Sequence, residues 1–144
     1  MITISNNQVS NILSEKFAYE CVKKGIESQS KGYSYVMPRS TKSFGNNKLL
    51  ADMSALIKDM GVFGIKHYVV HNSKFSYYIY LYDFNTKELL TVLEAEEIGK
   101  YRTAAVTSLV IEKLRTAYMK NLSIIGTGFQ AKQQLSSILN INSN

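Results

Sequence analysis

One stretch of eight residues constrains this chain more than any other. From Phe75 to Tyr82 the side chains alternate, with Phe75, Tyr77, Ile79 and Leu81 on one face of an extended strand and Ser76, Tyr78, Tyr80 and Tyr82 on the other. Both faces carry bulk that wants cover. Asp83-Phe84-Asn85-Thr86-Lys87 reads as a turn, and Glu88 to Leu93 returns as the partner strand of a hairpin. A hairpin this aromatic is an aggregation hazard when bare, which predicts that part of it is buried against a second copy of the chain.

The flanking pattern is mixed. Ser14 is placed to cap a helix from Glu15, in which Phe17, Ala18, Cys21, Val22 and Gly25 recur at helical spacing until Gly32 stops it. Asn6 is expected to cap a shorter turn through Val9 and Leu13. Tyr33 to Met37 is β-prone and is halted by Pro38, the one proline. Ser40 to Asn47 is polar and predicts a loop. Lys48 to Met53 and Gly64 to Val70 predict strands with a short irregular piece between them. From Glu94 the pattern turns helical, with Glu94, Glu96 and Glu97 near the start and Lys113 and Arg115 near the end, as the helix dipole favours. Small residues Thr103, Ala104, Ala105 and Thr107 would let a backbone or ligand come close. Last come a short apolar strand, Leu122-Ser123-Ile124-Ile125, a glycine turn, and a helical pattern through Leu135, Ile138 and Leu139.

Composition excludes several classes. With 144 residues, 45% of them hydrophobic and 19% charged, the chain can bury a core and is not disordered. No apolar run approaches the roughly 20 residues of a membrane span, and Met1 to Asn6 lacks a basic-then-apolar leader, so no membrane association and a cytoplasmic location are expected. The lone Cys21 can form neither an internal disulfide nor a CxxC metal site, and is expected in a helix core. His67 and His71 would lie about 13 Å apart on one strand face, too far to share a metal. The net charge of +6 is spread along the chain without a basic stripe, which argues against nucleic acid. Fourteen of the 17 cations are Lys and three are Arg. Arg is the residue whose planar fork grips a carboxylate or phosphate in two places, so Arg39 and Arg102 are candidate binding residues, with ordinary surface arginines as the alternative.

Gly126-Thr127-Gly128-Phe129-Gln130-Ala131 fits the GxGxxA form of a dinucleotide fingerprint. The first glycine makes the tight turn, the second lets the backbone approach a pyrophosphate, and the small Ala131 lets helix pack on strand. The phosphate would sit at the helix N-terminus. The same residues also suit an ordinary glycine-rich turn between strand and helix. The acid expected about 20 residues further on to hold a ribose cannot be checked, because that position lies past Asn144, and no acidic residue stands between Glu112 and Asn144.

Taken together, Lys100-Tyr101-Arg102-Thr103-Ala104-Ala105 followed by Ile124-Ile125-Gly126-Thr127-Gly128-Phe129-Gln130-Ala131 resembles the ornithine cyclodeaminase and mu-crystallin family. The earlier pieces agree in order. Met37-Pro38-Arg39 is similar to the family's PPR element, Ala51-Asp52-Met53 to its x-x-MP strand, Gly64-Ile65-Lys66 to its GVK strand, and Asp83 to Lys87 with Leu89-Leu90 to its D-x-x-TG-x-P-L hairpin. The departures are Met37 for the first proline of PPR, Lys87 for the hairpin glycine, Lys74 for a small residue, and a shorter segment between Lys66 and the hairpin.

The resemblance implies an NAD- or NADP-dependent oxidoreductase of small amino or imino acids, of the ornithine cyclodeaminase or amino-acid dehydrogenase kind. It implies an α/β chain whose residues 1–119 form a substrate-binding and dimerisation domain with a mixed sheet, and whose residues 120–144 are the first β-α unit of a Rossmann-type domain. Arg39, Lys66 and Arg102 would hold the substrate carboxylate, Lys66 would also assist proton transfer, and Arg102 with Gly126, Thr127, Gly128, Phe129 and Gln130 would meet the cofactor. A homodimer is expected. The family's catalytic carboxylate and most of its nucleotide domain fall beyond Asn144, so a truncated chain with impaired activity is expected, or one whose missing strands come from a second chain. A non-catalytic dimerisation fragment and a crystallin-like binding protein are the alternatives.

Overall fold

A computed structural model describes residues 1–118 and 120–142. In chain order the elements are β1 (Ile2–Ile4), α1 (Asn6–Ile12), α2 (Glu15–Ser30), β2 (Ser34–Val36), β3 (Ser40–Ser43), β4 (Lys48–Ile57), a 3-10 turn (Lys58–Met60), β5 (Val62–His71), β6 (Lys74–Asp83), β7 (Leu89–Glu94), α3 (Glu96–Leu114) and α4 (Phe129–Asn142). This is the mixed α/β chain that the pattern predicts. It divides into two compact units, Met1–Val9 with Gly25–Glu96, and Ser10–Lys24 with Glu97–Asn144. The expected domain boundary at Met119 lies outside the described residues.

The first unit is built on one seven-stranded sheet in the order β1-β7-β6-β5-β4-β2, with β3 also pairing β4. β4, β5, β6 and β7 form an antiparallel meander, while β1 pairs β7 in parallel. The register places Lys66 opposite Met53 and Ile79, and Tyr68 opposite Ala51 and Tyr77, so these six residues share one face. The alternation of Phe75 to Tyr82 holds: Tyr78 and Tyr80 face the other way, opposite His67 and Ile65. The β6–β7 turn is held by Asp83, whose Oδ1 accepts the backbone N–H groups of Asn85 and Thr86, both at 2.8 Å. Those two donors hold its carboxyl below the usual carboxylate range. Lys87 sits at φ +65° where the turn asks for the left-handed conformation, the position at which the family pattern has glycine.

The second unit has a small core of Ala18, Tyr19, Ala105 and Leu109, against which Val22, Tyr101 and Ile141 pack. Ala104 and Ala105 are fully buried, and Ala105 packs in this core, so a small residue after Arg102 serves close packing. The Ser108 and Ser137 hydroxyls, both buried, bond to each other at 2.8 Å. Tyr19 donates its hydroxyl to Glu112. Glu15 accepts from Ser136 at 2.8 Å and Gln133 at 3.2 Å, tying α2 to α4. Burial pushes the Glu15 carboxyl up, but its own backbone N–H, Ser136, Gln133 and the Lys100 charge outweigh that and leave it lowered.

Several expectations are corrected. Ser40–Ser43 is a strand, not loop: a fully exposed edge strand needs backbone partners on β4 and no apolar face. β4 runs on to Ile57, so the irregular piece shrinks to the 3-10 turn that ends at Gly61, φ +65°. Leu122 to Ile125 forms no strand among the described residues, since an apolar run becomes a strand only by pairing. α1 is capped by Ser5, whose N–H and Oγ pair with the Gln8 side chain and N–H, rather than by Asn6. Asn6 instead donates its N–H to Glu94 and accepts the N–H of Glu96, linking β1 to the start of α3. Cys21 is exposed, because the buried stripe of α2 runs through Ala18, Tyr19 and Val22 and leaves it on the outer side.

Candidate functional site

Arg39 and Lys66 are far apart in sequence, and the sheet brings them together. Arg39 immediately precedes Ser40, which pairs with Asp52, so the chain enters β3 beside Met53, whose other neighbour is Lys66. Pro38 sits in the break between β2 and β3, where a missing N–H costs no ladder bond. Both cations then close on one aromatic ring. The Arg39 guanidinium lies 6.0 Å from the Tyr68 ring centroid and the Lys66 ammonium 5.9 Å from it. Lys66 is also 4.9 Å from the Tyr77 ring. Tyr68 and Tyr77, directly opposed across the strands, have centroids 5.4 Å apart.

The chemistry of this cluster is that of an anion seat. Lys66 is half-buried and Arg39 exposed, and the aromatic faces give both cations a direction, which suits them to a small carboxylate. Burial pushes the Tyr77 phenol up, helped by the Tyr68 phenol and the Glu96 carboxylate, so its hydroxyl stays neutral beside Lys66 at physiological pH.

Arg102 and the glycine turn belong to the other unit. Arg102 is exposed on α3. Gly126 has φ +108°, a conformation that a side chain resists, and nothing lies within 4 Å of where a Cβ would stand on Gly126 or Gly128. α4 starts at Phe129, with Lys132 N–H bonded to the Gly128 carbonyl at 3.1 Å, so the preceding N–H groups of its first turn have no partner within the helix. Lys100, two residues before Arg102, places its ammonium 5.0 Å from the Phe129 ring and 3.2 Å from Glu97. The stretch around Arg102 and the residue that follows Gly128 are therefore neighbours within one unit. A pyrophosphate fits this feature, because the bare glycine backbone leaves room for it and the helix start supplies donors.

Sequence reasoning treats His67 as ordinary, yet its Nδ1 lies 2.7 Å from Asp52 Oδ1 on the sheet face opposite Lys66. Only the β4–β5 register reveals that pair. Among the described residues there is no cluster of three metal-ligating side chains, and no helix is long and apolar enough to cross a membrane.

With this geometry in hand, comparison with known proteins is decisive for lineage. The profile of the Ornithine cyclodeaminase/mu-crystallin family matches residues 2–143. The chain belongs to that family. It is 21% identical to the iminosuccinate reductase of Paracoccus denitrificans over 153 aligned positions, 99% of this chain and 47% of that protein. The crystal structure of that reductase in complex with NAD+ superposes with a TM-score of 0.92 at 19% identity, covering 98% of this chain and 46% of that one. An archaeal alanine dehydrogenase dimer with bound NAD gives 0.90 at 21% identity, with 98% and 45% covered. The Thermococcus litoralis Δ1-pyrroline-2-carboxylate reductase, in complex with NADH and L-proline, gives 0.89 at 22%, with 98% and 46% covered. The chain thus spans about half the length of the relatives it matches.

Proposed function

We propose that this chain is the amino-acid-binding part of an NAD-dependent oxidoreductase acting on a small amino or imino acid, with NADP as the other nucleotide to be tried. The observation that carries the reading is the convergence of Arg39 and Lys66 on Tyr68. In this reading the two cations grip the substrate carboxylate, Arg102 adds a third contact, and Lys66 assists proton transfer at the substrate nitrogen, the α-hydrogen leaving as hydride. Gly126, Thr127, Gly128, Phe129 and Gln130, with Arg102, hold the nucleotide, which supplies hydride transfer when bound. Residues 1–119 are then the substrate-binding and dimerisation domain and 120–144 the start of the nucleotide domain. The relatives solved with NAD+ or NADH support the cofactor, and the one solved with L-proline supports the substrate class. The comparisons give no support to a second chain supplying the rest of the nucleotide domain.

A homodimer belongs to the same proposal. Val69 and Tyr78 stand exposed on the tyrosine face, beside Ile65 and Tyr80, and the alanine dehydrogenase relative is described as a dimer. Cytoplasmic placement is part of the proposal as well, and the exposed thiol of Cys21 is compatible with a reducing compartment. Isothermal titration of the chain with NAD+, NADP+ and L-alanine tests the reading. Saturable binding of L-alanine that is lost in Arg39→Ala supports it, and no heat from L-alanine at millimolar concentration refutes it. Heat from L-alanine alone would retain the carboxylate clamp and remove the nucleotide role of the glycine turn.

A further inference from the structure

An aromatic track leads away from the two cations. Lys66 lies over Tyr77, and Tyr77 stacks on Phe75 with centroids 5.6 Å apart and planes at 8°. Arg39 and Lys66 lie over Tyr68, which with Phe75 and its strand neighbours Leu49 and Val70 lines an open cavity of about 440 Å³ on the same sheet face. The cavity therefore shares a wall with the carboxylate clamp. Its size falls within the range of small-ligand sites, about 300–1,000 Å³.

The chemistry of the lining selects its occupant. The floor is two aromatic and two aliphatic side chains, and the charged residue of the described lining, Lys48, pairs with His71 in the row that faces the other side of the sheet. Among the described lining residues no carboxylate stands to receive an ω-amino group. The rim comes from two turns that hold Asn47 and Ser73 at φ +56° and +61°.

We infer that the substrate held at Arg39 and Lys66 carries an uncharged, apolar side chain of leucine or phenylalanine type, seated in the cavity beyond Tyr68. This rests on the clamp reading above and narrows its substrate class. A charged side chain, cationic like that of ornithine or anionic like that of aspartate, meets no opposite charge on that face among the described lining residues. A side chain as short as alanine leaves the floor wet.

Titration of the 144-residue chain with L-alanine, L-leucine, L-ornithine and L-aspartate tests this, with Phe75→Ala and Phe75→Leu alongside. Phe75 is half exposed near the hairpin end, and circular dichroism checks that both variants fold. The expected result is L-leucine binding about tenfold tighter than L-alanine, a little over half of what burying three further carbons yields. L-Ornithine and L-aspartate should bind no tighter than L-alanine. Phe75→Ala should bring L-leucine to within about threefold of L-alanine, and Phe75→Leu should restore most of the preference. If L-alanine binds but L-leucine is no tighter, or if either charged amino acid is preferred, the side-chain assignment is overturned and the clamp survives. If no amino acid binds, L-alanine included, the clamp itself is wrong and the inference falls with it.

Discussion

Replacing Tyr68 by leucine probes the clamp without touching either cation. The ring faces Arg39 at 6.0 Å and Lys66 at 5.9 Å, close to the outer reach of a cation–π contact. At that distance, and with the ring partly exposed, each contact is worth about 0.5 kcal/mol, the low end for such pairs. Lys66 keeps its closer contact with Tyr77 at 4.9 Å, so Arg39 is the group that loses its direction. Losing both contacts removes about 1 kcal/mol of preorganisation, or about fivefold in carboxylate affinity. Tyr68→Phe keeps the aromatic face and should bind L-alanine within about twofold of the original chain. Isothermal titration with L-alanine reads both variants. Equal losses in the leucine and phenylalanine variants would refute an aromatic platform. An unchanged leucine variant would show that the ring does not position the cations.

Three further outcomes follow from particular residues. Lys87→Gly should stabilise the chain by about 0.5–1 kcal/mol in urea unfolding, because φ +65° strains a side chain there and glycine relieves it. Leu109→Ala should cost about 2–4 kcal/mol, since Leu109 sits in the Ala18, Tyr19 and Ala105 cluster, and a loss under about 1 kcal/mol would mean that this cluster is not the core of its unit. The Asp83 carboxyl is lowered by the N–H groups of Thr86 and Asn85, so its stabilisation is complete above its ordinary value of 3.8 and fades as pH falls through the folded value. The stability advantage of the original chain over Asp83→Ala should thus shrink steadily in urea titrations below about pH 4.

Much of the sheet is legible in the sequence because its strands send alternate side chains to alternate faces. The Phe75 to Tyr82 alternation, the Asp83 turn and the Ser14 cap, whose Oγ accepts the Phe17 N–H at 3.2 Å, all stand where local chemistry places them. β3 is illegible for the converse reason: Ser40–Ser43 has four exposed polar side chains, and only backbone pairing makes it a strand. Leu122 to Ile125 looks like a strand on composition, but periodicity cannot supply a partner. Of the candidate site, residue chemistry marks Arg39 and Arg102 by the scarcity of arginine in a lysine-rich chain, and the family resemblance marks Lys66. The aromatic platform under Arg39 and Lys66, the Asp52–His67 pair and the cavity between Leu49 and Phe75 depend on cross-strand register, which no local pattern encodes.

The most direct measurement is a crystal structure of this chain grown with L-alanine. The account predicts the ligand carboxylate within salt-bridge reach of both the Arg39 guanidinium and the Lys66 ammonium, about 4 Å or less, with its side chain directed along Tyr68 toward Phe75. A carboxylate bound elsewhere, or two cations that turn away from Tyr68 and from each other with the amino acid present, would contradict it.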